Sequence, residues 1–309
     1  MVLTQESMAE AFEHLGTVGD FLRWGESKLN EHHVFLGHGT DNSHDEALAL
    51  LLHVLHLPWH SDPNVLQTRL VPSEKQQFLA LLEQRINART PAPYLTGEAW
   101  FCGLPFVVDE RVIVPRSPLG ELIEAQFAPW IHEPEATLRV LDLCTGSGCI
   151  AIASAYALPN ALVDAIDIST EALEVCEINI AKHGMEDRVF PLLGDGLSVA
   201  QGPYDLIVSN PPYVDADEMA NLPHEYRHEP ELALASGDDG LDFTRALLAQ
   251  AAEQLSDSGV LIVEVGYSWP AVVAQWPEVP FLWLEFERGG EGAFMLSRQQ
   301  LLEYRHLFI

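Results

Sequence analysis

The segment Ser209-Asn210-Pro211-Pro212-Tyr213 carries the most specific chemistry in the chain. A planar –NH2 group has its lone pair delocalised and is a poor nucleophile, so it must be oriented before it can react. The Asn210 side-chain oxygen and the Pro211 backbone carbonyl can accept its two hydrogens, and neither prolyl nitrogen competes as a donor. Tyr213 can stack on the planar group. An arrangement of this kind holds the nitrogen in line with an electrophile, so that catalysis is mostly positioning plus electrostatics. Asn-Pro-Pro is also good turn chemistry. Two prolines and an aromatic directly after an apolar strand, downstream of a glycine loop, favour the site over the turn.

The glycine loop is Asp142-Leu143-Cys144-Thr145-Gly146-Ser147-Gly148-Cys149. Gly146 and Gly148 let the backbone turn tightly and approach a ligand that a Cβ would obstruct. Nineteen residues after Gly148 comes Asp167, at the end of the next apolar run. A carboxylate there can accept both hydroxyls of a ribose. By itself this loop is only moderately specific, because Gly146-x-Gly148-x-x-Ala151 also satisfies the dinucleotide fingerprint. A nicotinamide dehydrogenase would explain the loop and leave Asn-Pro-Pro-Tyr unexplained. A non-catalytic binding module would have lost Asn210 or the loop glycines, and all are present.

Alternating strand and helix patterns must position these motifs. From residue 119 onward, apolar runs at 138–144, 161–167, 204–210 and in GVLIVEVG alternate with helical periodicity. Ser169 is the expected N-cap of the helix after Asp167. The runs FLWLEFE and GAFMLS close the chain around Arg288-Gly289-Gly290. This is the pattern of a doubly wound, mostly parallel α/β sheet ending in an antiparallel pair, with ligands beyond the carboxyl ends of the strands. Residues 1–95 read as a helical domain, with apolar spacing at Met8, Phe12, Leu15 and at Phe21, Leu22, Leu29. Ser43 and Glu46 suggest a capping box ahead of LALLLHVLHL, and a further helix runs from Pro72-Ser73 through Ile86. Residues 96–118 alternate and read as a β-hairpin linker to a catalytic domain over 119–309.

The 309 residues include 16 bases and 46 acids, a formal net charge of −30. Residues 1–118 carry −7 of this and residues 119–309 carry −23. Such a surface repels phosphate backbones and attracts basic partners, although acidity can also serve solubility alone. Four cysteines without a C-x-x-C pair suit a reducing cytosol. The N-terminus lacks the basic and apolar regions of a signal peptide, and no stretch is long enough to span a bilayer, so a cytoplasmic location and no membrane are expected. His224-Glu225-Tyr226-Arg227-His228 matches the zinc-protease pattern, but Pro223 and Pro230 bracket only six residues. That is too few for the helix that would align two ligands. No metal is expected there, nor at Gly237-Asp238-Asp239-Gly240, which lacks the alternating ligands of a calcium loop.

Taken together, DLCTGSG, AIDIS and SNPPY resemble the signature of class I S-adenosylmethionine-dependent amino-methyltransferases. The segments VPRSPLGELI (114–123) and LPHEYRHEPELALASGDDGLD (222–242) are similar to those of the protein-(glutamine-N5) methyltransferases, in the branch acting on ribosomal protein L-three. The release-factor branch usually reads P-R-P-D-T-E where this chain has Pro115-Arg116-Ser117-Pro118-Leu119-Gly120-Glu121. The resemblance covers nearly all of residues 90–297. It implies a Rossmann-like, seven-stranded sheet with a small helical N-terminal domain for substrate recognition. It implies S-adenosyl-L-methionine as cofactor, held by Asp142, Cys144, Thr145, Gly146, Ser147, Gly148, Asp167, Asp195, Gly196 and Asn210. It also implies a target glutamine held by Asn210, Pro211, Pro212 and Tyr213. Cys144 departs from the glycine commoner in the wider class. A basic protein substrate is expected. The alternatives are a release-factor glutamine and a flipped nucleic-acid base, and the acidity of the catalytic part argues against the base.

Overall fold

The computed structural model describes residues 2–308, which form two compact units. The first comprises residues up to Ala99 together with Pro223–His228, and the second comprises Trp100–Leu222 and Glu229 onward. Trp100 onward, including most of the hairpin, therefore falls in the second unit.

The first unit is helical. Its main helices, Gln5–His14, Val18–Glu31, Ser43–Leu55 and Pro72–Glu83, pack around Phe21, Leu29, Leu50, Phe78 and Leu82, all fully buried. The expected cap at Ser43 is corrected: Asn42 is the N-cap, its side chain accepting from Asp45 N at 2.8 Å. Glu46 does not reach back to close a box. It is turned inward, 2% exposed, to Arg85 and to the Thr40 hydroxyl. The helix from Pro72 widens into a π-turn over Gln84–Ala88, which carries Arg85 and Ile86 into the interior.

The second unit is a seven-stranded sheet flanked by helices. A hairpin pairs β1 (Glu98–Phe101) with β2 (Leu104–Val107). The sheet contains β3 (Arg139–Leu143), β4 (Leu162–Asp167), β5 (Val189–Leu193), β6 (Tyr204–Ser209), β7 (Leu255–Glu264), β8 (Leu282–Trp283) and β9 (Ala293–Ser297). Its order is β5-β4-β3-β6-β7-β9-β8, parallel from β5 to β7 and antiparallel for β9 against β7 and β8. Of the expected strand FLWLEFE, Leu282 and Trp283 pair with β9, and Leu284 N–H donates to Ala293 O at 2.9 Å. β3, β6 and the second half of β7, from Val260, are largely apolar and buried, as strands covered on both faces must be. Leading away from β3 in opposite directions, β4 and β6 create a switch point at its carboxyl end.

Candidate active site

A cavity of about 190 Å³ lies at that switch point, lined among others by Cys144, Gly146, Asp167, Asp195, Gly196 and Asn210. The register explains the convergence. Leu143 pairs with Ile166 on one side and Ser209 on the other, so the residues following β3, β4 and β6 leave the sheet at one level. Ser209 also donates its hydroxyl to Leu143 O at 2.8 Å, tying the base of the Asn-Pro-Pro-Tyr turn to that of the glycine loop.

Gly146 has φ +54°, and a Cβ added there would meet nothing within 4 Å, so its backbone faces open space. Gly148, at φ +79°, has a different reason: a Cβ there would lie 2.6 Å from Cys176 Sγ. Cys144 also adopts φ +59°, a conformation glycine takes freely and a side chain takes at a cost of order 1–3 kcal/mol. Burial and the carboxylates of Asp167 and Asp142 push its thiol well above the usual range.

Asp167 accepts Gly146 N–H on one oxygen and Ser169 N–H on the other, both at 2.9 Å. A carboxylate offers about four lone-pair sites, so acceptor positions remain on both oxygens. Burial raises its pKa, partly offset by the backbone donors at Ser169 and Gly146. Ser169 is the N-cap expected, accepting from Ala172 N at 3.1 Å. Asp142, Thr145, Ser147 and Gly148 stand behind the cavity rather than on its lining. Asp142 is fully buried and accepts the Thr145 hydroxyl at 2.6 Å and Ala151 N at 3.0 Å on one oxygen, while its other oxygen has no hydrogen-bond partner among the described residues. Burial pushes its pKa up to about 7.

Asn210 and Pro212 line this cavity, whereas Pro211 is buried and does not. Tyr213 faces a second cavity, of about 360 Å³, shared with Pro118 and Glu264. Open backbone at the left-handed turns, a carboxylate on the wall, and apolar cover from Val112, Ile168 and Phe243 suit a nucleoside with an attached amino acid.

The comparisons with known proteins bear on the same point. The Methyltransferase small domain family matches residues 127–237. A ribosomal protein uL3 glutamine methyltransferase of Neisseria gonorrhoeae is 50% identical over 293 residues, covering 95% of this chain and 98% of that protein. The chain belongs to the family of ribosomal protein uL3 glutamine methyltransferases. The Neisseria meningitidis member is 49% identical, over 95% of this chain and 97% of its own. Among solved structures, the hMettl16 catalytic domain, in complex with MAT2A 3'UTR hairpin 6, matches with a TM-score of 0.52 and 16% identity over 73% of this chain and 81% of that one. At that identity the likeness is one of fold. The chain is a class I methyltransferase with S-adenosyl-L-methionine as its cofactor.

Several residues around this cavity escape sequence reasoning. Asn179, in the helix Thr170–His183, is fully buried and donates to Ser147 O at 2.9 Å while exchanging hydrogen bonds with Val107, bracing the glycine loop from behind. A polar residue on the apolar face of that helix is the available signal. Arg111, clamped by Asp109 and Glu174, and the segment Pro230–Ala233 form the opposite wall. Glu225 of the His-Glu-x-x-His segment is not aimed at a metal. It accepts from Phe35 N at 3.0 Å and pairs with Arg85, within a five-residue 3₁₀ helix. Among the described residues no helix is long and apolar enough to cross a membrane.

Proposed function

We propose that this methyltransferase methylates the side-chain amide nitrogen of a glutamine in ribosomal protein uL3. The observation that carries the reading is the position of Asn210, which leaves β6 beside the loop after β3 and shares one cavity with Asp167 and Gly146. The names of its close relatives supply the substrate.

When bound, the cofactor supplies an electrophilic methyl on a sulfonium. The chain's residues bind, orient and exclude water. Asp167 would receive the cofactor's ribose hydroxyls, and the backbone from Cys144 to Gly148, with Asp142 behind it, and Asp195-Gly196 would hold the rest of it. The Asn210 oxygen and the Pro211 carbonyl accept the two amide hydrogens, and Pro212 keeps the turn free of competing N–H donors. Tyr213 supplies the stacking face. No residue need act as a base before transfer, because the nitrogen releases its proton readily once methylated. Residues 1–95 recognise the substrate and residues 119–309 carry the chemistry, while the linking residues 96–118 also lend Arg111 and Val112 to the cavity wall. The net charge of −30 favours a basic protein partner in the cytoplasm over a nucleic acid.

The test is transfer of radiolabelled methyl from the cofactor into an extract of cells lacking the enzyme. A single labelled glutamine in uL3 is expected. Label in a release factor or in RNA, with uL3 unlabelled, overturns the assignment. The cofactor site is tested separately. Asp167→Ala should weaken S-adenosylmethionine binding by roughly 1–3 kcal/mol in calorimetry, the cost of leaving buried polar groups unpaired. Unchanged affinity would remove Asp167 from the site.

A further inference from the structure

Glu264 ends β7 and is 4% exposed, a carboxylate at the carboxyl edge of the sheet for which the chemistry above has no use. Tyr213 donates its hydroxyl to Glu264 Oε1 at 3.1 Å, and Ser117 donates its hydroxyl to Oε2 at 2.6 Å. The rest of Tyr213 is held as firmly. Ser268 Oγ donates to its backbone carbonyl at 2.6 Å. Its ring lies so close to Gly266 that a Cβ there would come within 2.5 Å of it. Ser117 is anchored in turn, accepting Leu119 N at 3.2 Å and following Arg116, whose guanidinium makes a two-pronged pair with buried Glu229. Glu229 also accepts Val114 N at 2.9 Å.

Tyr213 is thus held at its ring by Gly266, at its backbone carbonyl by Ser268 and at its hydroxyl by Glu264, and the hydroxyl anchor is a titratable group. We infer that Glu264 is a positioning residue of the transfer reaction, which sets the plane of the Tyr213 ring and so the orientation of the amide stacked on it, with Ser117 setting the carboxylate. This rests on the reading above, in which Tyr213 is the stacking face. Glu264 touches neither substrate nor cofactor in this role, and acts through Tyr213.

Charge on Glu264 matters to the anchor. As a carboxylate it accepts from both hydroxyls, in hydrogen bonds strengthened by its charge. Once protonated, one oxygen carries an O–H and accepts only weakly, so one of the two hydroxyl bonds weakens or reverses. Burial pushes its pKa up to about 7, with the Ser117 and Tyr213 hydroxyls and the Arg116 charge pulling the other way. The groups facing it are Arg116, neutralised by Glu229, the Ser117 and Tyr213 hydroxyls, and Tyr267 and Glu291 across the second cavity. The ionised fraction rises with pH through 7, so the tyrosine is held more firmly on the alkaline side.

The experiment compares Glu264→Gln, Tyr213→Phe, their double variant and Tyr213→Ala in the full chain. Turnover is measured at saturating cofactor from pH 6 to 9, because Asp142 also titrates near 7. Calorimetric cofactor affinity serves as the check on folding. Glu264→Gln should lower kcat about tenfold, the scale of one charge-assisted hydrogen bond. It should leave KM for the protein substrate within about twofold and abolish the rise in kcat through pH 7. Tyr213→Phe should match it, and the double variant should be no worse than either single one. If Glu264→Gln keeps the parent kcat and pH profile while Tyr213→Ala is inactive, the inference falls and the active-site reading stands. Additive losses in the double variant also overturn it, since Glu264 would then act by another route. If Tyr213→Ala turns over normally, the active-site reading itself fails and takes the inference with it.

Discussion

Asn210→Ala lowers turnover by roughly 10²–10³-fold while leaving affinity for S-adenosylmethionine close to that of the parent, the scale for losing one preorganised polar contact at a reacting centre. The separation of the two effects follows from the geometry. Asn210 shares the cavity with Asp167 and the glycine loop but follows a different strand, so the cofactor keeps its own partners when Asn210 is shortened. Asn210→Asp is the sharper variant. It keeps an acceptor and adds a negative charge near the sulfonium. That charge favours the cationic ground state over a transition state in which the positive charge is dispersing. The aspartate variant therefore binds cofactor at least as well as the parent and still methylates poorly. Single-turnover kinetics alongside calorimetry measure both quantities. Near-normal turnover by Asn210→Ala would move the active site away from the end of β6.

The second large effect concerns the helical unit. Arg85→Met should destabilise that unit by about 3–5 kcal/mol, the range for breaking a buried ion pair from one side. Arg85 is 1% exposed, donating to Glu46, to Glu225 at 3.3 Å and to Phe35 O at 2.6 Å. Its removal leaves two carboxylates in the interior, with Arg89, 3.5 Å from Glu225, in partial compensation. Urea unfolding monitored by the tryptophan fluorescence of this unit reads the loss. Adding Glu46→Gln and Glu225→Gln should restore much of it, because neutral amides leave no unpaired charge. A denaturation midpoint unchanged in Arg85→Met would show that the cluster contributes nothing.

These two expectations differ in how much of their basis is legible in the sequence. Asn210 stands out from residue types alone, since an amide acceptor, two prolines and an aromatic after a strand form a local pattern whose chemistry is carried by adjacent residues. Ser169 as an N-cap is equally local. The Arg85 cluster is not legible. Glu46 has the spacing to cap its own helix, and Glu225 stands out only within a resemblance to a metal motif. Their common partner lies 39 residues from the first and 140 from the second. Glu264 reads as one more residue of an apolar strand, and its link to Tyr213 spans 51 positions. The cap at Ser43 fails for a related reason: Asn42 is an equally good cap one residue earlier, and Glu46 is needed inside.

By itself the sequence determined the order of strands and helices, the placement of the two motifs at strand ends, and which residue types could serve the cofactor and the target nitrogen. Those properties follow from hydrophobic periodicity, from glycine and proline conformational limits, and from donor and acceptor inventories, all of which act over a few residues. Only the tertiary structure decided which buried charges meet, that Cys144 takes a left-handed conformation, that Asn179 braces the glycine loop, and that Glu264 holds Tyr213. A buried polar group must find a partner wherever the fold brings one. Proximity of that kind is set by the packing of whole elements, and no local pattern encodes it.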